Sequence, residues 1–256
     1  MGPLKTVALT PVILPVTQDI NDDFGEVDHI NFAAKLYFLF WDTDIDLLFF
    51  TGESRTTRFG FDFSRNIKTN FEIHGELAWI SDFDKKSIDS QGNLSSNESD
   101  ILRYLFGIRY LTANEITFTF EYYHNGGGIS KNSAENFYRF VDRAYDTFLS
   151  TGDSSQLTRA SKLSKGTLSG AKPMRDYLYF RASWKEPIDI LYFTPAIFSI
   201  VNLTDQSLSL TPEFLYSPIT NLEFRLRSAF LIGDNHTEYG EKANDYKVEL
   251  RVRYFF

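Results

Sequence analysis

The stretch Asp245-Tyr-Lys-Val-Glu-Leu-Arg-Val-Arg-Tyr-Phe-Phe256 alternates between two chemistries along its length. Apolar and aromatic side chains occupy the even positions from Tyr246 to Phe256, and charged side chains occupy the odd positions from Lys247 to Arg253. Successive side chains of a β-strand point to opposite faces of the sheet. The stretch therefore predicts a strand with one apolar, aromatic face and one charged face.

The composition narrows the class of protein. The chain has 256 residues, of which 43% are hydrophobic and 16% aromatic, and its mean hydropathy is −0.26. No run of about 18 apolar residues occurs, so no transmembrane helix is predicted. The net charge of −8 argues against a nucleic acid as the partner. The lack of cysteine is consistent with a protein that passes through an oxidising compartment.

Apolar alternation of the same kind recurs along the chain and predicts twelve strands. Leu222, Phe224 and Leu226, for example, alternate with Glu223 and Arg225. The predicted strands are 4–16, 29–41, 44–52, 57–65, 69–81, 101–111, 115–125, 176–185, 189–201, 206–217, 221–233 and 245–256.

The connections between these strands alternate strictly between tight turns and longer segments. The tight turns are predicted at 42–44, 66–68, 112–114, 186–187 and 218–220, where turn-forming residues cluster. The longer connections are predicted at 18–28, 53–56, 82–100, 126–175, 202–205 and 234–244.

The terminal aromatic strand and this alternation resemble bacterial outer-membrane β-barrels of the porin type, and most of all alginate-export-like and other small-solute channels. The resemblance implies an all-β, transmembrane, antiparallel up-and-down barrel of about twelve strands, closed into a cylinder and spanning 1–256 as one domain. It also implies a bacterial outer-membrane location with both termini in the periplasm. The partners it implies are membrane lipid and lipopolysaccharide, the barrel-assembly machinery, which would read the strand ending in Phe256, and small hydrophilic solutes. Because Met1-Gly2-Pro3 leads directly into the first strand, we expect an upstream leader or further strands to have been removed.

A soluble antiparallel sandwich is the main structural alternative, because one of its faces is buried and its strands alternate too. Aromatic residues near predicted strand ends favour the membrane barrel, since such residues form belts at the two membrane interfaces. They are Trp41, Trp79, Tyr110, Tyr122, Trp184, Tyr216 and Tyr254.

The charged positions of the strands are the predicted pore lining, and they have two readings. They can form cross-strand ion pairs that hold a small barrel together, or they can set the selectivity of a pore, and both can hold at once. A basic cluster on the last two strands, opposed only by Glu223 and Glu249, would favour anionic solutes. The predicted lining residues are Arg58, Glu72, Glu76, Arg103, Arg109, Glu121, Arg181, Glu213, Glu223, Arg225, Arg227, Lys247, Glu249, Arg251 and Arg253.

The connection 126–175 is too long for a passive turn. Apolar residues between Phe137 and Leu149 follow helical spacing, which predicts an amphipathic helix over about 133–149, and Asn132 with Glu135 predicts its amino-terminal cap. The stretch Ser150–Lys172 has few apolar residues, and we expect it to be mobile. The helix would lie inside the mouth, cap it, or pack on a partner; we favour an inward or capping position.

The predicted function is passive diffusion of small hydrophilic, preferentially anionic, solutes, with no catalytic residues, metal or cofactor. One alternative is a lipid hydrolase, because the segment Tyr122-Tyr-His-Asn-Gly-Gly-Gly128 resembles the histidine motif of outer-membrane phospholipase and lipid A deacylase. Gly126 stands where those enzymes have serine, and no nucleophile is fixed near His124 by the sequence. Another alternative is a non-conducting scaffold for a partner complex. The sequence does not determine the oligomeric state.

Overall fold

The computed structural model describes residues 4–168, 170 and 172–256, with the Lys5 side chain excluded. The expectations that rest on Met1-Gly2-Pro3 lie outside these residues. Two α-helices, α1 (Lys131–Thr151) and α2 (Ser155–Thr167), and two 3₁₀ turns, Asp22–Phe24 and Pro187–Asp189, accompany the strands. The strands are β1 (Leu4–Val16), β2 (His29–Phe40), β3 (Thr43–Thr51), β4 (Arg58–Lys68), β5 (Phe71–Ile88), β6 (Leu94–Leu111), β7 (Ile116–Asn125), β8 (Asp176–Trp184), β9 (Phe193–Asn202), β10 (Ser207–Ile219), β11 (Leu222–Ile232) and β12 (Tyr246–Tyr254).

The twelve strands form one sheet in which each strand is hydrogen-bonded to its neighbours in sequence. The prediction of an all-β, up-and-down architecture with about twelve strands is therefore confirmed. The strand order has two ends, β1 and β12, and the sheet is not closed among the described residues. Closure into a barrel stays a prediction. Neither helix in the described part of the chain is long and apolar enough to cross a membrane.

The chain divides into two compact units. The first unit contains the chain up to Lys85 together with Ser96–Gly107 and His124–Gly127. The second unit contains Lys86–Ser95, Ile108–Tyr123 and Gly128–Phe256.

Four of the five predicted tight turns lie within about three residues of their predicted positions. At the turn between β2 and β3, Trp41 and Asp42 both have positive φ angles of 47° and 58°, as a two-residue hairpin turn requires. The fifth prediction is wrong. Pro187 begins a 3₁₀ turn, and β9 starts only at Phe193, so the connection 185–192 is longer than the connection 203–206. The strict alternation of short and long connections fails at this point.

The connection predicted at 82–100 is also wrong, because most of it belongs to β5 and β6, which meet at the turn 89–93. This part of both strands carries polar residues on both faces, for example Asp84 and Lys85 on β5 and Ser96 and Asn97 on β6. Apolar alternation, on which the prediction rested, is therefore missing there.

Helix α1 confirms the predicted helix at 133–149, but its cap differs. Ser130 is the N-cap, and its hydroxyl accepts a hydrogen bond from the backbone N–H of Ser133, so the cap predicted at Asn132 is wrong. The predicted mobility of Ser150–Lys172 is wrong over Ser155–Thr167, which forms α2. The local sequence alone does not predict this helix. Contacts of Arg159 with Gly92 and Asn93 in the turn 89–93 stabilise it.

Two of the predicted strands, 4–16 and 189–201, are apolar on both faces and contain proline, and the position of each in the sheet explains how proline is accommodated. β1 lies at one end of the strand order, so the missing N–H groups of its prolines leave only one ladder to satisfy. On β9, pairing with β8 stops at Ala196, one residue short of Pro195. Phe198 of β9 lies on the same side of the sheet as Arg227 of β11. The guanidinium carbon of Arg227 lies 5.4 Å from the centroid of the Phe198 ring.

Candidate functional site: the charged face of the sheet

The register shows which side chains share a face. On β10, Glu213 is paired with Arg227 of β11, and Arg227 is paired with Glu249 of β12, so the three lie on one face. We call this side of β8 to β12 the charged face of the second unit, and in the first unit we use the name for the side of β2 to β5 that carries Asp46 and Asp62. Glu213 is only 8% exposed, whereas its neighbour Phe214 on the opposite face is 45% exposed. Burial on this strand is the reverse of that in a soluble sheet.

In the second unit, Glu213 is the centre of an ion cluster. Its Oε2 accepts hydrogen bonds from Nε and Nη2 of Arg227 at 2.8 and 2.5 Å. The Nε of Arg225 lies 3.8 Å from the same oxygen. Glu213 therefore joins the basic cluster as a third carboxylate, which the sequence did not place there because the register between β10 and β11 was unknown.

The two other carboxylates of this cluster pair mainly with β12. Glu249 lies 3.0 Å from Arg251 and 3.6 Å from Lys247, and Glu223 lies 3.4 Å from Arg253. Five basic side chains thus face three carboxylates on β10 to β12.

Arg225 and Arg251 are directly opposite each other in the register of β11 and β12. The β10 residue opposite Arg225 is Leu215, so this row of the sheet carries two positive charges and no carboxylate. Like charges that face each other across two strands destabilise the pair unless water or an anion screens them.

The first unit carries an acidic row on its charged face. Asp46, Asp62 and Glu76 are paired in register across β3, β4 and β5. Lys35 of β2 lies 2.9 Å from Asp46. Further along β5, Glu72 lies 3.5 Å from Nδ1 of His74. Carboxylates therefore outnumber cations along this row.

The remaining predicted lining residues lie elsewhere on the sheet. In the first unit, the positive charge of Arg103 on β6 acts on the guanidinium of Arg58 on β4. In the second unit, Arg109 on β6 and Arg181 on β8 are exposed, and Glu121 on β7 is half-buried. These three residues lie on other strands than the cluster at Glu213, whose members belong to β10, β11 and β12.

A second polar group, which the sequence did not reveal, lies at the loop end of the charged face in the second unit. Its five members, Tyr177, Asn202, Asp205, Ser207 and Glu238, are all buried; we call them the loop-end cluster. Oε2 of Glu238 accepts hydrogen bonds from the hydroxyl of Tyr177 and the side-chain amide of Asn202, each at 2.7 Å. Asp205 accepts from the backbone N–H of Glu238 and the hydroxyl of Ser207 at 2.6 and 2.7 Å. The cluster fastens the connection 233–245 to β8, β9 and β10.

Burial sets the electrostatics of the loop-end cluster. Desolvation raises the pKa of Glu238, and the nearby charge of Asp205 adds to the rise, while the hydrogen bonds from Tyr177 and Asn202 oppose it. Desolvation also raises the pKa of Tyr239 and of Tyr138 on α1, and the charge of Glu238 adds to both shifts. The sequence contained no signal for this cluster, because the connection 233–245 has no apolar periodicity.

Helix α1 is anchored from two sides. The side-chain amide of Asn136 donates to the carbonyl of Ile88 at 3.0 Å, and the Phe140 ring packs against Gly92. On the other side, Asp142 lies 2.7 Å from Nε2 of His236, whose ring stacks on Tyr138. Ala134 of α1 packs in an apolar cluster with Tyr177, which lies on the charged side of β8. In this unit the helix therefore lies over the loop end of the charged face. An inward or capping position in the mouth of a barrel stays a prediction.

Arg159 attaches helix α2 to the turn 89–93. Arg159 donates to the carbonyl of Gly92 at 2.8 Å and to the side-chain oxygen of Asn93 at 2.7 Å. Its guanidinium also lies over the Phe140 ring at 5.3 Å. These contacts tie the second helix to the same turn that holds α1.

The histidine of the hydrolase alternative lies at the end of β7. The His124 ring stacks on Tyr104 with 5.0 Å between the ring centroids. Ser130 and Ser133 hydrogen-bond to each other at the start of α1. The hydrolase alternative stays a prediction. Within the described ranges, no group of three or more His, Cys, Asp or Glu residues is arranged to hold a metal ion.

Comparison with known proteins does not assign the chain to a family. No protein-family model matches it, and no curated protein sequence is significantly similar to it.

Proposed function

We propose that this protein is a bacterial outer-membrane channel through which small hydrophilic solutes diffuse along the charged face. The observation that carries the proposal is the reversed burial of the sheet. On β10 the buried side chains are Ser207, Thr211 and Glu213, whereas Phe214 and Tyr216 on the other face are exposed.

The exposed side of the sheet favours contact with lipid. Leu250 on β12 and Phe106 on β6 are 69% and 50% exposed, and each shares its face of the strand with further exposed apolar residues. Apolar patches of this extent are rare on soluble monomers, where they would drive aggregation. Acyl chains are the partner that such rows fit, because lipid-facing and lumen-facing residues alternate in membrane barrels.

Aromatic residues near the strand ends add support. Six of the seven predicted interfacial aromatics, Trp41, Trp79, Tyr110, Trp184, Tyr216 and Tyr254, are exposed. Tyr122 differs, because its hydroxyl donates to Asp176 at 2.7 Å. Aromatic rings at strand ends suit the boundary between lipid and water.

The excess of cations around Glu213 supports a preference for anions in this part of the channel. Arg225 and Arg251 face each other without a carboxylate in their row, and passing anions would screen their repulsion.

A non-conducting scaffold is the second candidate, favoured by one observation. Helix α1 and the connection 233–245 cover the loop end of the charged face in the second unit. If these elements only narrow the lumen, the protein conducts as a channel. If they seal the lumen, the protein acts as a non-conducting scaffold.

Single-channel recording of the purified protein in planar bilayers tests the proposal. We expect stepwise ion conductance, and we expect R225E/R251E to move the reversal potential in a salt gradient towards cation preference. The control R139E/K162E makes the same change in charge on the exposed faces of α1 and α2. A folded protein that never conducts, and that co-purifies with other subunits, would favour the scaffold instead.

A further inference from the structure

Arg58 of the first unit lies within electrostatic range of two other arginines, Arg55 and Arg103. Arg55 lies in the connection 52–57, Arg58 begins β4, and Arg103 lies on β6. The positive charges of Arg55 and Arg103 both act on the guanidinium of Arg58. Like charges within this range repel one another unless an anion or water screens them.

Aromatic rings hold two of these arginines in place. The guanidinium carbon of Arg55 lies 4.4 Å from the centroid of the Phe24 ring, and that of Arg103 lies 5.2 Å from the centroid of the Phe83 ring. A guanidinium stacked on a ring keeps its N–H groups in its own plane, where they remain free to donate. The two side chains are therefore positioned before any ligand arrives.

Donor atoms of this cluster lack partners. Among the described residues, the Nε atoms of Arg58 and Arg103 are buried and have no hydrogen-bond partner. Buried donors are nearly always paired in folded proteins. The two unpaired guanidinium donors therefore indicate that an acceptor binds there.

Three carboxylates of this unit have other partners. Asp46 pairs with Lys35 at 2.9 Å, and Glu53 pairs with His29 at 3.0 Å. Asp100, three residues before Arg103, accepts a hydrogen bond from the backbone N–H of Asp82 at 3.2 Å.

We propose that Arg58 and Arg103, assisted by Arg55, form a binding site for an oxyanion, that is, for a phosphate or carboxylate group. Arginine suits this ligand because its planar fork of N–H groups matches two oxygens of one anion. Arg58 shares the charged side of β4 with Asp62, so access for a diffusing solute rests on the proposed channel function. The same chemistry would also bind the phosphate of a lipid headgroup.

Binding of inorganic phosphate to the purified, detergent-solubilised protein tests the site directly by isothermal titration calorimetry. We expect R58Q and R103Q each to weaken binding about tenfold or more, because each removes a charge-assisted hydrogen bond. R65Q, in the same strand but on the opposite face, is the matched control and should bind as the unmodified protein does. Equal affinity in R58Q, R103Q and R65Q would overturn the proposal, as would a lack of binding to both phosphate and lipopolysaccharide micelles.

Two further measurements separate the possible outcomes. Titration with lipopolysaccharide micelles distinguishes the sources: binding to micelles that needs Arg58 and Arg103, without binding of free phosphate, identifies a headgroup as the ligand. Thermal unfolding without phosphate separates binding from a structural role, since R58Q and R103Q should then be as stable as the unmodified protein or more so. Phosphate binding by a protein that does not conduct would support the oxyanion site and contradict the proposed channel. Conductance without Arg58-dependent binding would support the channel and contradict the oxyanion site.

Discussion

The hydroxyl of Tyr177 donates a hydrogen bond to Oε2 of Glu238 over 2.7 Å, although 61 residues separate the two in the chain. This bond joins the start of β8 to the connection between β11 and β12. Both partners are buried, so the carboxylate is held away from water and depends on Tyr177 and Asn202 for its hydrogen bonds. The fastening of this connection should therefore respond to pH.

The first prediction concerns that response. Because burial raises the pKa of Glu238 above its ordinary value of 4.5, the folded state holds this proton more tightly than the unfolded state. The contribution of Glu238 to stability is therefore largest below about pH 4.5 and decreases as the pH rises through the raised pKa. Hydrogen exchange of the amides in 233–245, corrected for intrinsic rates, should show protection that falls over this window. The substitution E238Q should flatten the profile, whereas D245N, an exposed neighbour, should leave it unchanged; a falling profile that persists in E238Q would contradict the assignment.

The second prediction concerns the turn that holds α1. Gly92 has a φ of 73°, and a Cβ atom at this position would lie 2.6 Å from the Phe140 ring. The substitution G92A should therefore destabilise the docking of α1 by about 1–3 kcal/mol, through backbone strain and displacement of the ring. Limited proteolysis of the segment 126–175 measures the effect. G166A in α2 is the control, because nothing lies within 4 Å of the added atom; equal cleavage of the two variants would show that Gly92 is not a docking point.

The third prediction concerns the ion cluster of β10 to β12. Replacing Glu213 with alanine leaves Arg227 and Arg225 without the oxygen that both approach, so E213A should lower the free energy of unfolding by about 1–3 kcal/mol. K247Q should change it by less than about 0.5 kcal/mol, because the side chain of Lys247 is 74% exposed. Denaturant unfolding in detergent micelles compares the two. Similar losses in both variants would mean that Glu213 has no special role.

Alternation along the chain was sufficient to place most strands. β1 was predicted at 4–16 and is found at Leu4–Val16, and β12, predicted at 245–256, spans Tyr246–Tyr254. Both contain the apolar alternation or apolar runs on which strand prediction depends. The outer parts of β5 and β6 were missed because polar residues on both faces give no such signal.

The members of the charged face were predictable from the same alternation, but their partners were not. Which of Arg225 and Arg227 donates to Glu213 depends on the register of β10 against β11, and the irregularity between Tyr216 and Ile219 alters that register. The loop-end cluster could not be predicted either, since it brings Glu238 to Tyr177 through tertiary structure. Helix α2 was missed for the same reason, because Arg159 anchors it to a distant turn.

The segment 126–175 begins and ends at one place. The backbone N–H of Ile129 donates to the carbonyl of Pro173 at 2.8 Å, and Ile129 forms a bridge with Met174. Both helices lie between these two paired residues, so the entropy of closing the loop is met at its neck rather than by β7 and β8. A change in the length of the chain between the two helices would therefore leave the separation of β7 and β8 unchanged, provided that α1 keeps its contacts with Ile88 and His236 and α2 keeps its contact with Gly92.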